Sequence, residues 1–175
     1  MKAFYFLIPL LVVNACKTQT GTVITSAETV MEKSENIRSE CPEDGTCEVI
    51  IHKNQTLEIV DDAGNLFPQI IEGQNIVVEY TYRRLGPAGT ADGNYSEILY
   101  FEVSPETSNF TKENEELTDV KMLLGILGYR NVSYYELMEG KLVFTRTDNS
   151  LSFDFRFKID QASHVISHIK EKVQF

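Results

Sequence analysis

Apolar and polar residues alternate strictly along two stretches of the chain. In Ile76-Val77-Val78-Glu79-Tyr80-Thr81-Tyr82-Arg83 one face reads Ile76, Val78, Tyr80 and Tyr82, and the other reads Val77, Glu79, Thr81 and Arg83. From Leu151 to Ile159 the apolar face is Leu151, Phe153, Phe155, Phe157 and Ile159, opposite Ser152, Asp154, Arg156 and Lys158. A period of two marks a half-buried antiparallel strand, whereas a helix would scatter the phenylalanines around its circumference. Shorter runs predict strands at Cys47–His52 and Thr56–Val60, joined around Lys53-Asn54-Gln55, and Asp61 to Asn65 reads as a turn. Ile98–Val103 is apolar on both faces and is expected at the centre of a sheet. Leu142–Thr145, bounded by Glu139-Gly140 and Asp148-Asn149, leads as a meander into the phenylalanine strand. Val165, Ile169 and Val173 share a face of a last strand, Val165–Val173. About nine strands with no intervening helix predict an all-β fold, an antiparallel sandwich or a barrel.

One segment reads both ways. Leu117, Val120, Leu124 and Leu127 recur at helical spacing, and Glu113, Glu115 and Glu116 suit a helix N-terminus. Gly125 and Gly128 interrupt that pattern, so a buried strand over Val120–Leu127 is the expectation, and Tyr129 to Tyr135 continues strand-like.

The N-terminus has a different texture. Lys2 precedes an apolar run of eleven residues, Ala3 to Val13, broken by Pro9. Such a run suits a signal-peptide core and falls short of the ~20 apolar residues of a membrane span. It ends Val13-Asn14-Ala15-Cys16, which resembles the lipobox of bacterial lipoproteins. The resemblance covers residues 1–16 and leaves the domain family unassigned. It implies cleavage after Ala15, lipidation of Cys16 with palmitate-class acyl chains, and membrane attachment through lipid. Asn14 departs from the small residues most common at its position. Plain secretion with nearby cleavage is the alternative. Residues 16–40 read as the lipidated cysteine and a tether: Lys17 to Glu40 holds eight Ser/Thr in 24 residues. A short helix from Thr25 through Ile37 would have a thin apolar face and be marginal alone. As a coil the tether spans roughly 25–30 Å. Lys17 is not the acidic residue linked to inner-membrane retention in such lipoproteins, which points to the outer membrane of the cell envelope.

The remaining residues, 41–175, make one domain of ordinary size. An exported chain with three cysteines normally leaves one to explain. With Cys16 lipidated, Cys41 and Cys47 remain in CPEDGTC, where a tight turn makes a structural disulfide the expectation. A redox pair would have C-x-x-C spacing, and zinc would need further ligands.

Composition excludes more than it assigns. Sixteen Lys+Arg against 26 Asp+Glu give a formal charge of −10, and no basic cluster is legible in residue order, so nucleic acid is not an expected partner. None of G-x-S-x-G, H-E-x-x-H or the P-loop pattern occurs. Gly86, Gly89 and Gly93 lie in a long loop between strands, where a phosphate cradle would need a following helix. Arg83 and Arg84 at its base could hold a carboxylate or phosphate, or simply be solvated. His164 and His168 on a strand would sit about 13 Å apart, too far for one metal. Asp61, Asp62 and Asn65 lack calcium-loop spacing. The sequons at Asn54, Asn94, Asn109 and Asn131 carry no weight in a bacterium. Tyr80, Tyr82 and Tyr100, with Arg83 and Arg84, form the candidate binding patch; sheet core is the competing reading for the tyrosines. The expectation is a non-catalytic, cofactor-free binding or structural module for an envelope protein or small ligand. The alternatives are a barrel carrier of an apolar molecule, its cavity lined by Phe153, Phe155 and tyrosines, or an exported hydrolase with converging carboxylates.

Overall fold

A computed structural model describes residues 41–90, 93–129 and 131–174. The expectations for Ala15, Cys16 and the tether therefore lie outside the described residues. Nine antiparallel strands run in the order β1 (Thr46–Asp62), β2 (Asn65–Arg84), β3 (Tyr95–Val103), β4 (Asn109–Glu113), β5 (Leu123–Gly128), β6 (Asn131–Glu136), β7 (Gly140–Arg146), β8 (Ser150–Phe157) and β9 (His168–Gln174). They form a five-stranded sheet, β1-β2-β3-β5-β6, and a four-stranded sheet, β4-β7-β8-β9. The fold is thus an all-β sandwich with two separate sheets. The expected strand Ile98–Val103 does lie in mid-sheet.

The alternation on β2 and β8 decides what meets between the sheets. Ile76, Val78, Tyr80 and Tyr82 share one buried core with Leu142, Phe144, Leu151, Phe153, Phe155 and Phe157. The ring of Phe101 on β3 reaches across to Phe153 at 5.2 Å and to Phe144 at 6.3 Å, both edge-on. Burying one such ring contributes roughly 1.5–3 kcal/mol, so these contacts dominate the assembly.

Several elements differ from the sequence reading. The two expected strands Cys47–His52 and Thr56–Val60 are one strand, β1, carrying a bulge at Lys53 to Gln55. Asn54 there has φ 57°, a left-handed value that asparagine tolerates. On β2 the irregularity falls between Glu72 and Asn75, and at Gly73 within it any Cβ would overlap Thr56. The first half of β2 and all of β4 have no counterpart in the reading, because their alternation is irregular and their apolar residues are half-exposed. The ambiguous segment is both things in turn. Asn114–Val120 forms a 3-10 helix that buries Leu117 and Val120 and is closed by a reciprocal cap between Glu113 and Glu116. Lys121 then turns left-handed, and β5 follows. At the C-terminus the strand begins at His168, later than Val165. Val165 is exposed, and Ile166 takes the buried place beside Ile169 and Val173.

The bulge has an architectural consequence. Beyond it, the β1–β2 hairpin is a ribbon closed by the two-residue turn Ala63-Gly64, both at positive φ. Leu57, Ile59, Leu66 and Ile70 on the ribbon pack on Val77, Tyr100 and Leu123, which face away from the main core. The ribbon therefore folds back over the outer face of the five-stranded sheet and gives it a second, smaller core.

Candidate functional site

The expected patch does not form one surface. Tyr80 pairs with Leu99 across the β2–β3 ladder, and Glu79 pairs with Tyr100. Tyr80 and Tyr82 thus point into the main core, and Tyr100 points outward beneath the ribbon. Arg83 follows the outward parity and is exposed. Arg84 is drawn away into a contact of its own.

That contact is built by the CPEDGTC loop. Cys41 and Cys47 are disulfide-bonded with Cα atoms 5.8 Å apart, as the CPEDGTC sequence led us to expect. The closed loop presents Asp44 to the end of β2. Tyr82 donates its hydroxyl to Asp44 Oδ1 at 2.8 Å, and Arg84 Nη1 donates to Oδ2 at 3.0 Å. Hydrogen bonds from Arg84 and then Tyr82 hold the Asp44 carboxyl below its ordinary pKa, and burial with the neighbouring carboxylate raises the Tyr82 phenol. Tyr80 donates to Cys47 Sγ at 2.9 Å. Gly45 is required in the loop, because a Cβ there would overlap the Tyr82 ring. The Arg84 guanidinium also lies 5.2 Å over the Tyr95 ring. A carboxylate is indeed held by Arg84, but it is the protein's own.

A second polar group lies deeper. Glu97 is 1% exposed, and its parity on β3 turns it inward. It accepts the Tyr95 hydroxyl at 2.5 Å, the backbone N–H of Ile166 at 2.8 Å and that of Val165. One carboxylate thereby fastens the five-stranded sheet to the segment leading into β9. Three donors offset the desolvation of a buried charge that would otherwise be costly.

The outer face of the five-stranded sheet holds the remaining aromatic cluster. Tyr134 lies across Gly125, where a Cβ would overlap its ring, and stands 6.2 Å from Phe67 of the ribbon. Burial pushes the phenols of Tyr100 and Tyr134 up, with Glu79 adding to both. His52 Nε2 and Glu79 Oε2 are 3.0 Å apart beside them. Tyr100 is the one tyrosine of the expected patch on this surface.

The other candidates are dispersed. His164 stacks on Phe157 in the bend before β9, off the strand where it was expected, and His168 contacts Asp154 at 2.9 Å. Asp61 accepts the N–H of Gly64 and Asn65 donates to the Asp62 carbonyl, so the turn acids serve the turn. Among the described residues no group of three or more His, Cys, Asp and Glu is placed to hold a metal ion.

These features define an antiparallel β-sandwich with a disulfide-closed entrance and a ribbon-covered outer face. Comparison with family models, curated proteins and solved structures finds no match to this chain. Its function is therefore argued from its own residues.

Proposed function

We propose that this protein is a lipid-anchored component of a bacterial cell envelope whose β-sandwich serves as a non-catalytic binding or structural module. The observation that carries the reading is the sequence Val13-Asn14-Ala15-Cys16 at the end of an apolar run too short to span a bilayer. Cys16 becomes the first residue of the mature chain and carries the acyl groups, and residues 17–40 tether the domain to the outer membrane. The disulfide between Cys41 and Cys47 suits an exported protein. A binding role is favoured over catalysis by the engagement of Arg84, Tyr82 and Glu97 in internal bonds. It is favoured over a carrier role by Phe153 and Phe155, whose rings pack on Phe101 and Phe157.

The experiment is growth with labelled palmitate followed by fractionation. The wild-type protein should carry label, sediment with membranes and resist a salt wash, because two or three acyl chains at ~0.8 kcal/mol per buried methylene hold firmly. Cys16→Ser should abolish the label. Unlabelled wild-type protein in the soluble fraction would contradict the proposal and leave simple secretion.

A further inference from the structure

Cross-strand register assembles a basic surface that residue order conceals. On the outer face of the four-stranded sheet, Lys141 of β7 stands opposite Arg156 of β8, and Arg156 stands opposite His168 of β9. Neighbouring strands are about 4.8 Å apart, so this row places Lys141 and Arg156 side by side, with His168 beyond. Like charges directly opposite one another destabilise a sheet. Lys170 and Lys172 follow along β9, opposite Asp154 and Ser152, and Lys158 continues the line beyond β8. Lys158, Lys170 and Arg156 side chains are 69%, 70% and 71% exposed.

Four acids lie near these five cations, Asp154, Glu113, Asp160 and Glu139, and all but Asp154 are at the margins of the face. Asp154 lies within it and contacts His168 at 2.9 Å, with Lys170 and Arg156 at 3.8 and 3.9 Å. Glu113 pairs with Lys141 at the β4 edge, and Asp160 pairs with Lys158 past the end of β8. The opposite side of the sandwich has the reverse sign. Glu48, Glu79, Glu102 and Glu136 have outward parity on the five-stranded sheet, and the ribbon adds Glu58, Asp61, Asp62 and Glu72, against Arg83 and the Lys121 paired with Glu102. In a chain of formal charge −10 the charge is therefore segregated by face.

We infer that the outer face of β7, β8 and β9 docks the domain on an anionic lipid surface. Sheets pack about 10 Å apart, so with side chains the two charged surfaces are roughly 20 Å apart. The screening length at physiological salt is about 8 Å, so the acidic side does not cancel the attraction of the basic one. Repulsion of the acidic ribbon side orients the same approach. The choice of a membrane over another polyanion rests on the lipid anchor proposed above.

The test uses the mature chain from residue 17 without lipid. It retains the fold, since the core residues lie between Val49 and Val173. Sedimentation is measured with vesicles of phosphatidylcholine containing about a quarter phosphatidylglycerol, and with phosphatidylcholine alone. Binding should require the anionic lipid and disappear in high salt. K170E/K172E should weaken it at least about tenfold, and the milder K170Q/K172Q should weaken it less, with unchanged circular dichroism. Lys53→Glu, on the edge of the other sheet, should bind as wild type. Equal binding to both vesicles, wild-type binding by a folded K170E/K172E, or binding to a single-stranded oligonucleotide without binding to vesicles would each overturn the inference. Lack of label at Cys16 would defeat the anchor alone, since this assay uses no lipidated protein.

Discussion

Glu97 shows how much a single parity can decide. It sits on β3 in the same alternation that buries Leu99, Phe101 and Val103. Ile98–Val103 reads as apolar on both faces, so no alternation in the sequence turns Glu97 inward, and its hydrogen-bond donors Val165 and Ile166 come 68 and 69 positions later in the chain. No local pattern announces a bond of that separation, and an acidic residue between Ser96 and Ile98 looks like any solvated one. The tyrosines misled for a related reason. Tyr80, Tyr82 and Tyr100 are close in sequence-predicted strands, but ladder register sends Tyr100 to the opposite face. Replacing Glu97 with Ala leaves the buried N–H of Ile166 and the partly buried N–H of Val165 without their acceptor, and we expect a loss of about 2–4 kcal/mol in urea denaturation. A loss below about 1 kcal/mol would mean that the carboxylate is not the fastening described. The phenols make a second prediction. Tyr95 and Tyr100 are raised above their ordinary pKa, first by burial and then by the nearby carboxylates Glu97 and Glu79 respectively. A raised folded pKa adds stability that is complete below the unfolded value of about 10 and is lost as pH rises past it. Thermal melts should hold to about pH 10 and fall above it, together with the appearance of phenolate absorbance.

At the scale of elements, clear alternation was reliable and irregular segments were not. Strands β8, β3 and the second half of β2 were legible because each has one wet face and one buried face, or none wet. The bulge at Asn54 and the ribbon beyond it were not legible, because the second core is made by folding back, and its residues are only partly covered. Leu57 is the exception and is fully buried. Its N–H donates to Glu102 at 2.7 Å, and its carbonyl accepts Lys121 Nζ at 2.7 Å. Leu57→Ala should cost about 2–5 kcal/mol locally and speed hydrogen exchange in residues 56–71 far more than in β8. Uniform acceleration of both would show that the ribbon and the sandwich open as one unit. The disulfide loop closes so few residues that its contribution is modest. Cys47→Ser should lower stability by roughly 2–3 kcal/mol without abolishing the fold, and reduction should have the same effect as substitution.

For the molecule as a whole, net charge proved less informative than its placement. A total of −10 argued against nucleic acid as a partner, yet Lys141, Arg156, Lys158, Lys170 and Lys172 gather on one face through strand pairing. Four of them lie between residues 156 and 172, but which face each takes is decided by strand register and not by composition. The proposed lipid attachment is the opposite case, resting on a contiguous motif and not on the fold. The direct test of the account is the intact mass of wild-type protein extracted from membranes in detergent and of the peptide bearing its N-terminus. The chain should begin at Cys16, lack residues 1–15 and carry the added mass of a diacylglyceryl group, with or without a further acyl chain. A mature protein whose N-terminus lies elsewhere, or whose Cys16 carries no lipid, would contradict it.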